Sequence, residues 1–503
     1  MAPGPAFDAV DAPSRALIDA CVHCGFCLPT CPTYLLWSEE MDSPRGRIYL
    51  MKAGLEGRVP MSAPLVRHFD TCLGCMACVT ACPSGVQYGP LIEHTRAQIE
   101  RRYPRPLGDR AFRGLLFALL PYPGRLRIAL APLVLTGWLL KALDRAGLLP
   151  LLPSRLAALL AIAPPVSWRS LVASTPEDTP SVGTTRRTVG LLTGCVQRLA
   201  FADVNQATVD VLAAEGCRVV APAAQGCCGA LPLHAGRIEQ ARALARHTIA
   251  VFEQAGVERI VVNAAGCGSC MKEYGELFAD DPAWAERARA FSARVQDVSQ
   301  AVVDLGESRA PRHPIRARVA YHDACHLAHA QGVRAEPRAL LAAIPGLEVQ
   351  TPAESEICCG SAGIYNLVEP EAAAELGARK AAHIASIEPD FIATGNPGCM
   401  LQIAAAGRRL GYRWRIVHPI ELVAASIRGS DTVVTTCGAN PSGSRGEPER
   451  LAPPGVSANS AALPRDHVLQ VALHARERLL DLGPRVGVQL PRQRPGLPRL
   501  QQD

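Results

Sequence analysis

Cys21-Val-His-Cys24-Gly-Phe-Cys27-Leu-Pro-Thr-Cys31-Pro32 lies near the start of the chain, and Cys72-Leu-Gly-Cys75-Met-Ala-Cys78-Val-Thr-Ala-Cys82-Pro83 repeats its pattern. Both runs read C-x2-C-x2-C-x3-C-P, the spacing of bacterial ferredoxins with two [4Fe–4S] clusters. A cubane cluster takes four thiolates from the corners of a tetrahedron. Three cysteines at this spacing wrap one loop around three irons, and the fourth is carried away to the other cluster. By that rule Cys21, Cys24, Cys27 and Cys82 form one ligand set, and Cys72, Cys75, Cys78 and Cys31 form the other. Proline after each last cysteine lacks an N–H and stops helix from running back through the loop. Zinc favours a single closed set of four ligands, and disulfide scaffolds belong to short secreted chains. Neither suits two identical quartets in 503 residues.

That length predicts about three domains with sizeable cores. Hydrophobic residues make up 48% and mean hydropathy is +0.10, which fits a globular, somewhat apolar chain. Net charge is only +6, and all but Lys52, Lys141, Lys272 and Lys380 of the 52 basic residues are arginine. The arginines are scattered among acids and form no basic face, so no nucleic-acid partner is read. The first residues lack the charged and apolar regions of a secretory signal. Nineteen cysteines in such a chain point to metal, in a cytoplasmic protein, rather than to disulfides.

The expected architecture is α+β and multidomain. Residues 1–100 form a helical two-cluster ferredoxin-like domain, with a helix over Ile48–Lys52 started by Ser43 and Pro44. Arg45 and Arg47 are read as the solvated start of that helix in preference to neighbours of a cluster. Residues 101–187 form a helical connector and linker. Its longest apolar stretch, Ile128–Leu140, contains Pro132 and Gly137 and is too short to span a bilayer. Packing on the protein's own core is preferred there over docking of another subunit or anchoring at a membrane surface. Residues 173–187 are read as turn-forming linker.

An internal duplication follows, over 188–310 and 311–428. The first copy runs from a strand at Thr188 through Cys195, Gly226-Cys227-Cys228-Gly229 and a strand at Ile260 to Cys267-Gly-Ser-Cys270. The second runs from Arg318 through Cys325 and Cys358-Cys359-Gly360 to Cys399-Met-Leu-Gln402. Matching cysteines recur at nearly constant offset, which marks a repeat. Strands alternating with helices predict parallel α/β units with the cysteines at the strands' carboxyl ends. Adjacent cysteines such as Cys227 and Cys228 do not readily pair with each other, but they can bind metal. Cys195, Cys227, Cys228, Cys267 and Cys270 thus make a soft site suited to iron–sulfur or zinc. Gly229 is expected to leave room beside an inorganic core. His322 and His326, flanking Cys325, are read as packing residues in preference to ligands or proton carriers, and His23 as solvent-exposed. Cys217 and Cys437 match no motif. Residues 429–503 form a low-complexity tail with one short helix, Asp466 to Leu482.

Two ferredoxin quartets followed by two C…CCG…CxxC units resemble the iron–sulfur subunit of bacterial glycolate oxidase. Further resemblance lies in Leu-Leu-Pro-Tyr-Pro-Gly-Arg at 119–125, Leu-Thr-Gly-Cys-Val-Gln at 192–197, Cys-Cys-Gly-Ser-Ala-Gly at 358–363 and His-Pro-Ile-Glu-Leu at 418–422. The iron–sulfur subunits of anaerobic glycerol-3-phosphate dehydrogenase, lactate-utilisation proteins and heterodisulfide reductases are similar. The resemblance implies two [4Fe–4S] clusters on the eight N-terminal cysteines and a further iron–sulfur or zinc centre as a candidate in the first CCG domain. Gln402 stands where the second copy's last cysteine belongs, so that copy is expected to hold a smaller or weaker centre, or none. No glycine-rich nucleotide fingerprint is present, and no lysine follows a glycine as a phosphate-binding loop requires. The resemblance therefore implies an electron relay without catalytic residues. FAD-containing partner subunits would oxidise glycolate or D-lactate, and quinone or another acceptor would take the electrons at the inner face of the membrane. Disulfide reduction of the heterodisulfide-reductase kind, and a scaffold without redox work, are the alternatives.

Overall fold

The computed structural model describes residues 6–145, 152–164 and 171–429. Residues 6–145 are helical, without a strand. Helix Pro44–Leu55 starts where the sequence places it: the Ser43 side chain accepts the Gly46 N–H, and Pro44 occupies the first turn. With Ala63–Asp70 and Tyr88–Arg102 it closes a core of Ile48, Met51, Val66, Phe69, Leu91, Ile92 and Ile99. Burial of each such side chain contributes about 1.5–3 kcal/mol.

Three helices, Leu107–Leu119, Pro123–Arg145 and Ser154–Ala161, form the connector. Leu116 and Phe117 pack against Ile364 and Leu367, so one face covers the protein's own core, while Ile128 and Trp138 point outward. Among the described residues no helix is long and apolar enough to cross a membrane. The stretch read as pure linker does more than connect. Its residues Asp178–Thr179 form an edge strand, β1, antiparallel to Val219 and Val220. A two-residue strand carries no periodicity, so its sequence gave no sign of it.

The duplication appears as two sheets. In the first, β2 (Arg187–Leu192), β3 (Cys217–Val220), β4 (Arg259–Val262) and β5 (Val295–Asp297) join β1 in the order β1-β3-β2-β4-β5. In the second, β6 (Ala317–Tyr321), β7 (Leu347–Gln350), β8 (Phe391–Ala393) and β9 (Arg415–Val417) lie in the order β7-β6-β8-β9. Apart from β1 all pairs are parallel, with Val189 opposite Val219 and Val319 opposite Phe391. Each central pair, β2 with β4 and β6 with β8, is the point where strand order reverses, the usual place for a site in such sheets.

The copies share one core. Val211 and Leu212 of helix Ala202–Ala214 lie in it with Leu422 and Val423 of Pro419–Arg428. The last helix explains the His-Pro-Ile-Glu-Leu motif. The His418 side chain accepts the Ile420 N–H, Glu421 accepts the His418 N–H, and Pro419 fills the first turn. Cys217 lies fully buried in the same core. Cys437 and the helix read over Asp466 to Leu482 fall outside the described residues.

Candidate metal centres

Every cysteine in the described residues is a free thiol. The eight N-terminal thiols fall into an outer and an inner group. Cys24 is exposed and Cys21, Cys27 and Cys82 are half-buried, whereas Cys31, Cys72 and Cys75 are buried and Cys78 partly so. The Cys21 thiol is pushed up by burial, and the nearby charges of Cys82 and Cys24 push the same way. Burial likewise lifts Cys78, with Cys75, Cys72 and Cys31 as its charged neighbours. Cys31 lines one cavity with Cys72, Cys75 and Cys78 of the second run, and the charge of Cys82 reaches Cys21 of the first.

Arg47 corrects the expectation of a solvated helix start. It is 1% exposed, donates to Thr33 Oγ1 and Thr71 Oγ1 at 3.1 Å, and pairs with Asp42 at 3.2 Å. Burial opposes its charge, but Cys72, Tyr88 and Cys31 outweigh that and keep the guanidinium protonated. Burial also opposes the Cys72 thiolate, yet Arg47 and Arg96 hold that thiol below its ordinary value. Arg45 pairs with Glu40 at 2.7 Å and donates to the His23 carbonyl at 3.0 Å, bracing the first loop. His23 itself is exposed, with φ +54°. Nothing in the spacing Pro44-Arg-Gly-Arg47 reveals these roles, because they depend on the chain folding back across Thr71 and Cys72. Sulfur donors alone, with a buried cation beside the inner group, suit an anionic iron–sulfur cluster. A solvent-open cavity beside Cys72 is lined by Arg96, Arg105, Arg113, His234 and His326.

The duplicated sets lie beyond the strand ends, as read. Cys195 follows β2, and Cys267 and Cys270 sit on helix Ala265–Lys272 after β4. They share a buried cluster with Cys227 and Cys228, lined by Leu192, Ala245 and Ile249. Hydrogen bonding to Cys227, then burial, raises the Cys195 thiol, and burial raises Cys270. Gly229 and Gly360 have φ of +84° and +90°, which glycine adopts at little cost. A Cβ on them would meet the carbonyls of Ala241 at 3.2 Å and Ala373 at 2.8 Å. The glycine therefore serves the close approach of the following helix.

In the second copy Cys325 and Cys358 sulfurs are 3.9 Å apart. His322, Cys359 and Cys399, all buried, bring one donor atom each to within 4.8 Å of one another. Neither ring nitrogen of His322 has a hydrogen-bond partner, so the expectation of a satisfied packing histidine fails. Gln402 is fully engaged elsewhere: Oε1 accepts from Asn366 at 3.1 Å and Nε2 donates to the Ala373 carbonyl at 2.8 Å. This copy adjoins the inner N-terminal group. Cys75 shares an apolar cluster with Cys325, Cys358 and Leu376, and Thr80 Oγ1 meets His329 Nδ1 at 2.8 Å.

Family comparison agrees with this arrangement. A 4Fe-4S dicluster domain matches residues 17–86, and a cysteine-rich domain matches 189–272 and 319–404. The linker region of the glycolate oxidase iron-sulfur subunit matches 108–163. The chain is 38% identical to a probable glycolate oxidase iron-sulfur subunit of Bacillus subtilis, over 80% of its length and 92% of the relative's. It is 36% identical to the glycolate oxidase iron-sulfur subunit of Escherichia coli, over 79% of this chain and 93% of that one. Lactate utilization protein A of Oceanobacillus iheyensis is 30% identical over 47% of this chain and 96% of its own. The chain belongs to the family of glycolate oxidase iron-sulfur subunits.

Proposed function

We propose that this protein is the electron-transfer subunit of a glycolate-oxidising complex, with FAD-containing partner subunits carrying the substrate site. Glycolate is the expected substrate, as the names of two relatives suggest, and D-lactate is the second, a further relative's name giving lactate alone. Quinone or another acceptor takes the electrons, and the complex works in the cytoplasm at the inner face of the membrane. In this reading Cys21, Cys24, Cys27 and Cys82 hold one [4Fe–4S] cluster, and Cys72, Cys75, Cys78 and Cys31 hold the other. When bound, such clusters supply one-electron redox chemistry. The observation that carries the reading is the cavity that Cys31 lines together with Cys72, Cys75 and Cys78, although it belongs to the other run.

The residues around them have separate tasks. Cys24 and its loop face outward, where a partner can approach. Arg47 and Arg96 supply positive charge to Cys72 inside a water-poor core, which favours the anionic state of whatever that thiol holds. Tyr88 Oη lies 3.6 Å from Cys72 Sγ and adds a hydrogen bond. A disulfide-reducing role is disfavoured because Gln402 replaces a cysteine and is committed to Asn366 and Ala373.

The test is anaerobic co-purification with the flavoprotein partners, followed by iron and sulfide analysis and dye reduction with glycolate or D-lactate. About eight irons per chain are expected, with substrate-dependent reduction lost in Cys24→Ala. Iron-free material, or full activity in that variant, would overturn the reading.

A further inference from the structure

The second cysteine-rich copy has lost one ligand of the first and gained another. The repeat offset that aligns Cys195 with Cys325 places His322 where the first copy has Leu192. The offset that aligns Cys267 with Cys399 places Gln402 where the first copy has Cys270. Leu192 is buried in the first copy's apolar cluster and offers no donor. His322 is 1% exposed, stands at the end of β6, and has both ring nitrogens unpartnered. An imidazole buried without partners is costly and rare. Its surroundings identify what would satisfy it, because Cys359 and Cys399 bring their sulfurs to it.

We propose that His322, Cys359 and Cys399 bind a single zinc-class divalent ion, with Cys358 or Cys325 completing the coordination. The spacing selects the ion. Metal–sulfur bonds of about 2.3 Å and metal–nitrogen bonds of about 2.0 Å put tetrahedral donors roughly 3.5–3.8 Å apart. Three donors already within 4.8 Å of one another need only a small contraction around one ion. A cubane, with an iron at each of four corners, holds its thiolates farther apart than that. Among the described residues no other set of histidine, cysteine or acidic side chains meets this spacing, the N-terminal quartets and the five first-copy thiols included.

Ligand chemistry and charge agree. Thiolates with one imidazole are a borderline-soft set suited to zinc. Cys358, Cys359 and Cys399 are all buried, so the site is closed, as structural zinc sites are. Three thiolates, one neutral imidazole and a divalent ion carry one net negative charge. Lys380, 2% exposed and donating to the carbonyls of Glu354 and Ser355, faces this set and balances it. The corresponding first-copy residue is Thr248, which donates to the Cys227 carbonyl at 3.3 Å. The ion would tie β6, the paired-cysteine loop and helix Pro397–Arg409 together beneath Cys75.

This site stands apart from the electron-transfer reading, because its metal is not iron. The full-length chain, purified anaerobically, is analysed for zinc and iron together, and its zinc absorption-edge fine structure is recorded. One zinc per chain is expected, with a shell of one nitrogen and three sulfurs. In His322→Leu, which installs the first copy's residue, zinc should fall to well below half occupancy while iron stays unchanged. Cys399→Ser should do the same. Zinc-free wild-type chain, an all-sulfur shell, or a His322→Leu chain that keeps its zinc would overturn the proposal. So would iron loss in place of zinc loss. The spectrum of the unaltered chain decides the matter even if a variant fails to fold.

Discussion

In the first cysteine-rich copy five thiols face Leu192 and Thr248, and in the second four thiols face His322 and Lys380. The two share strand order, paired cysteines and a glycine held at positive φ. What duplication kept is what the backbone needs. What diverged are the side chains that set charge inside the site. The first copy buries its thiols among apolar neighbours, where burial and mutual hydrogen bonding raise them and favour the neutral form. The second places bases beside its thiols. There the thiols split: hydrogen bonds from Cys358 and Cys399 hold Cys359 well below its ordinary range, while hydrogen bonding to Cys325 raises Cys358 and hydrogen bonding to Cys359 raises Cys399. The second copy also touches the inner N-terminal quartet through Cys75, whereas the first copy's thiols lie within their own core.

That asymmetry gives the largest expected effect. Cys75→Ser should lower glycolate-dependent dye reduction on the order of 100-fold, since it removes a proposed ligand at the contact with Cys325 and Cys358. Cys267→Ser, in the copy that is set apart, should cost less than about threefold. Parallel rate and iron measurements on both variants check this. Equal losses would mean that a first-copy thiol matters to the relay as much as a quartet ligand does, and the first copy would not be set apart.

The paired quartets were legible because three of the four thiols read for each cluster stand in one short run, and that run is written twice. Repeat architecture was legible for a similar reason, since three landmarks at steady offset survive divergence elsewhere. Arg47 was not legible, because its partners Thr33, Asp42 and Thr71 meet only after the chain turns back on itself. His322 was weighed as packing because a lone histidine beside a cysteine says nothing about Cys359 and Cys399, which lie on other segments. The helix contact at Gly229 was not legible because its constraint comes from Ala241, on the next helix. Distances across the fold, and not spacing along the chain, decide such roles.

The glycines offer a second contrast. Both need the left-handed region, which costs an alanine about 1–2 kcal/mol. At Gly229 a new Cβ would sit 3.2 Å from the Ala241 carbonyl oxygen, a tight contact that small shifts can relieve. At Gly360 it would sit 2.8 Å from the Ala373 carbonyl oxygen, which also accepts from Gln402 and cannot move freely. Gly360→Ala should therefore destabilise by about 2–4 kcal/mol and Gly229→Ala by about 1–2 kcal/mol. Denaturant unfolding of both variants measures the difference. A reversed order would place the tighter helix approach in the first copy.

The smallest effect comes from the boxes that cap the helices after β5 and β9. The first copy uses Asp297 with Gln300, and the second uses His418 with Glu421. Burial lowers His418 to about 3, so it stays neutral in the fold and must be charged in the unfolded chain below its ordinary value of 6.5. The unfolded state then binds the extra proton, and His418 withdraws stability as pH falls from 6.5 toward 3. Glu421, raised by burial to about 8, acts oppositely: the fold keeps its proton, so its contribution grows as pH falls from 8 to 4.5. The two largely offset in the wild-type protein, which makes the difference between variants the informative quantity. His418→Asn should be costly near neutrality, and that cost should shrink by about 1–2 kcal/mol as pH falls from about 7.5 to 5, since asparagine has no proton to gain. Gln300→Ala in the first copy removes a side chain that does not titrate, so its cost should stay constant over the same interval. Unfolding curves at both pH values decide it: a cost of His418→Asn that is flat with pH would mean the imidazole takes up its proton in the fold as readily as in the unfolded chain, and the two boxes would then differ in sequence but not in their response to acid.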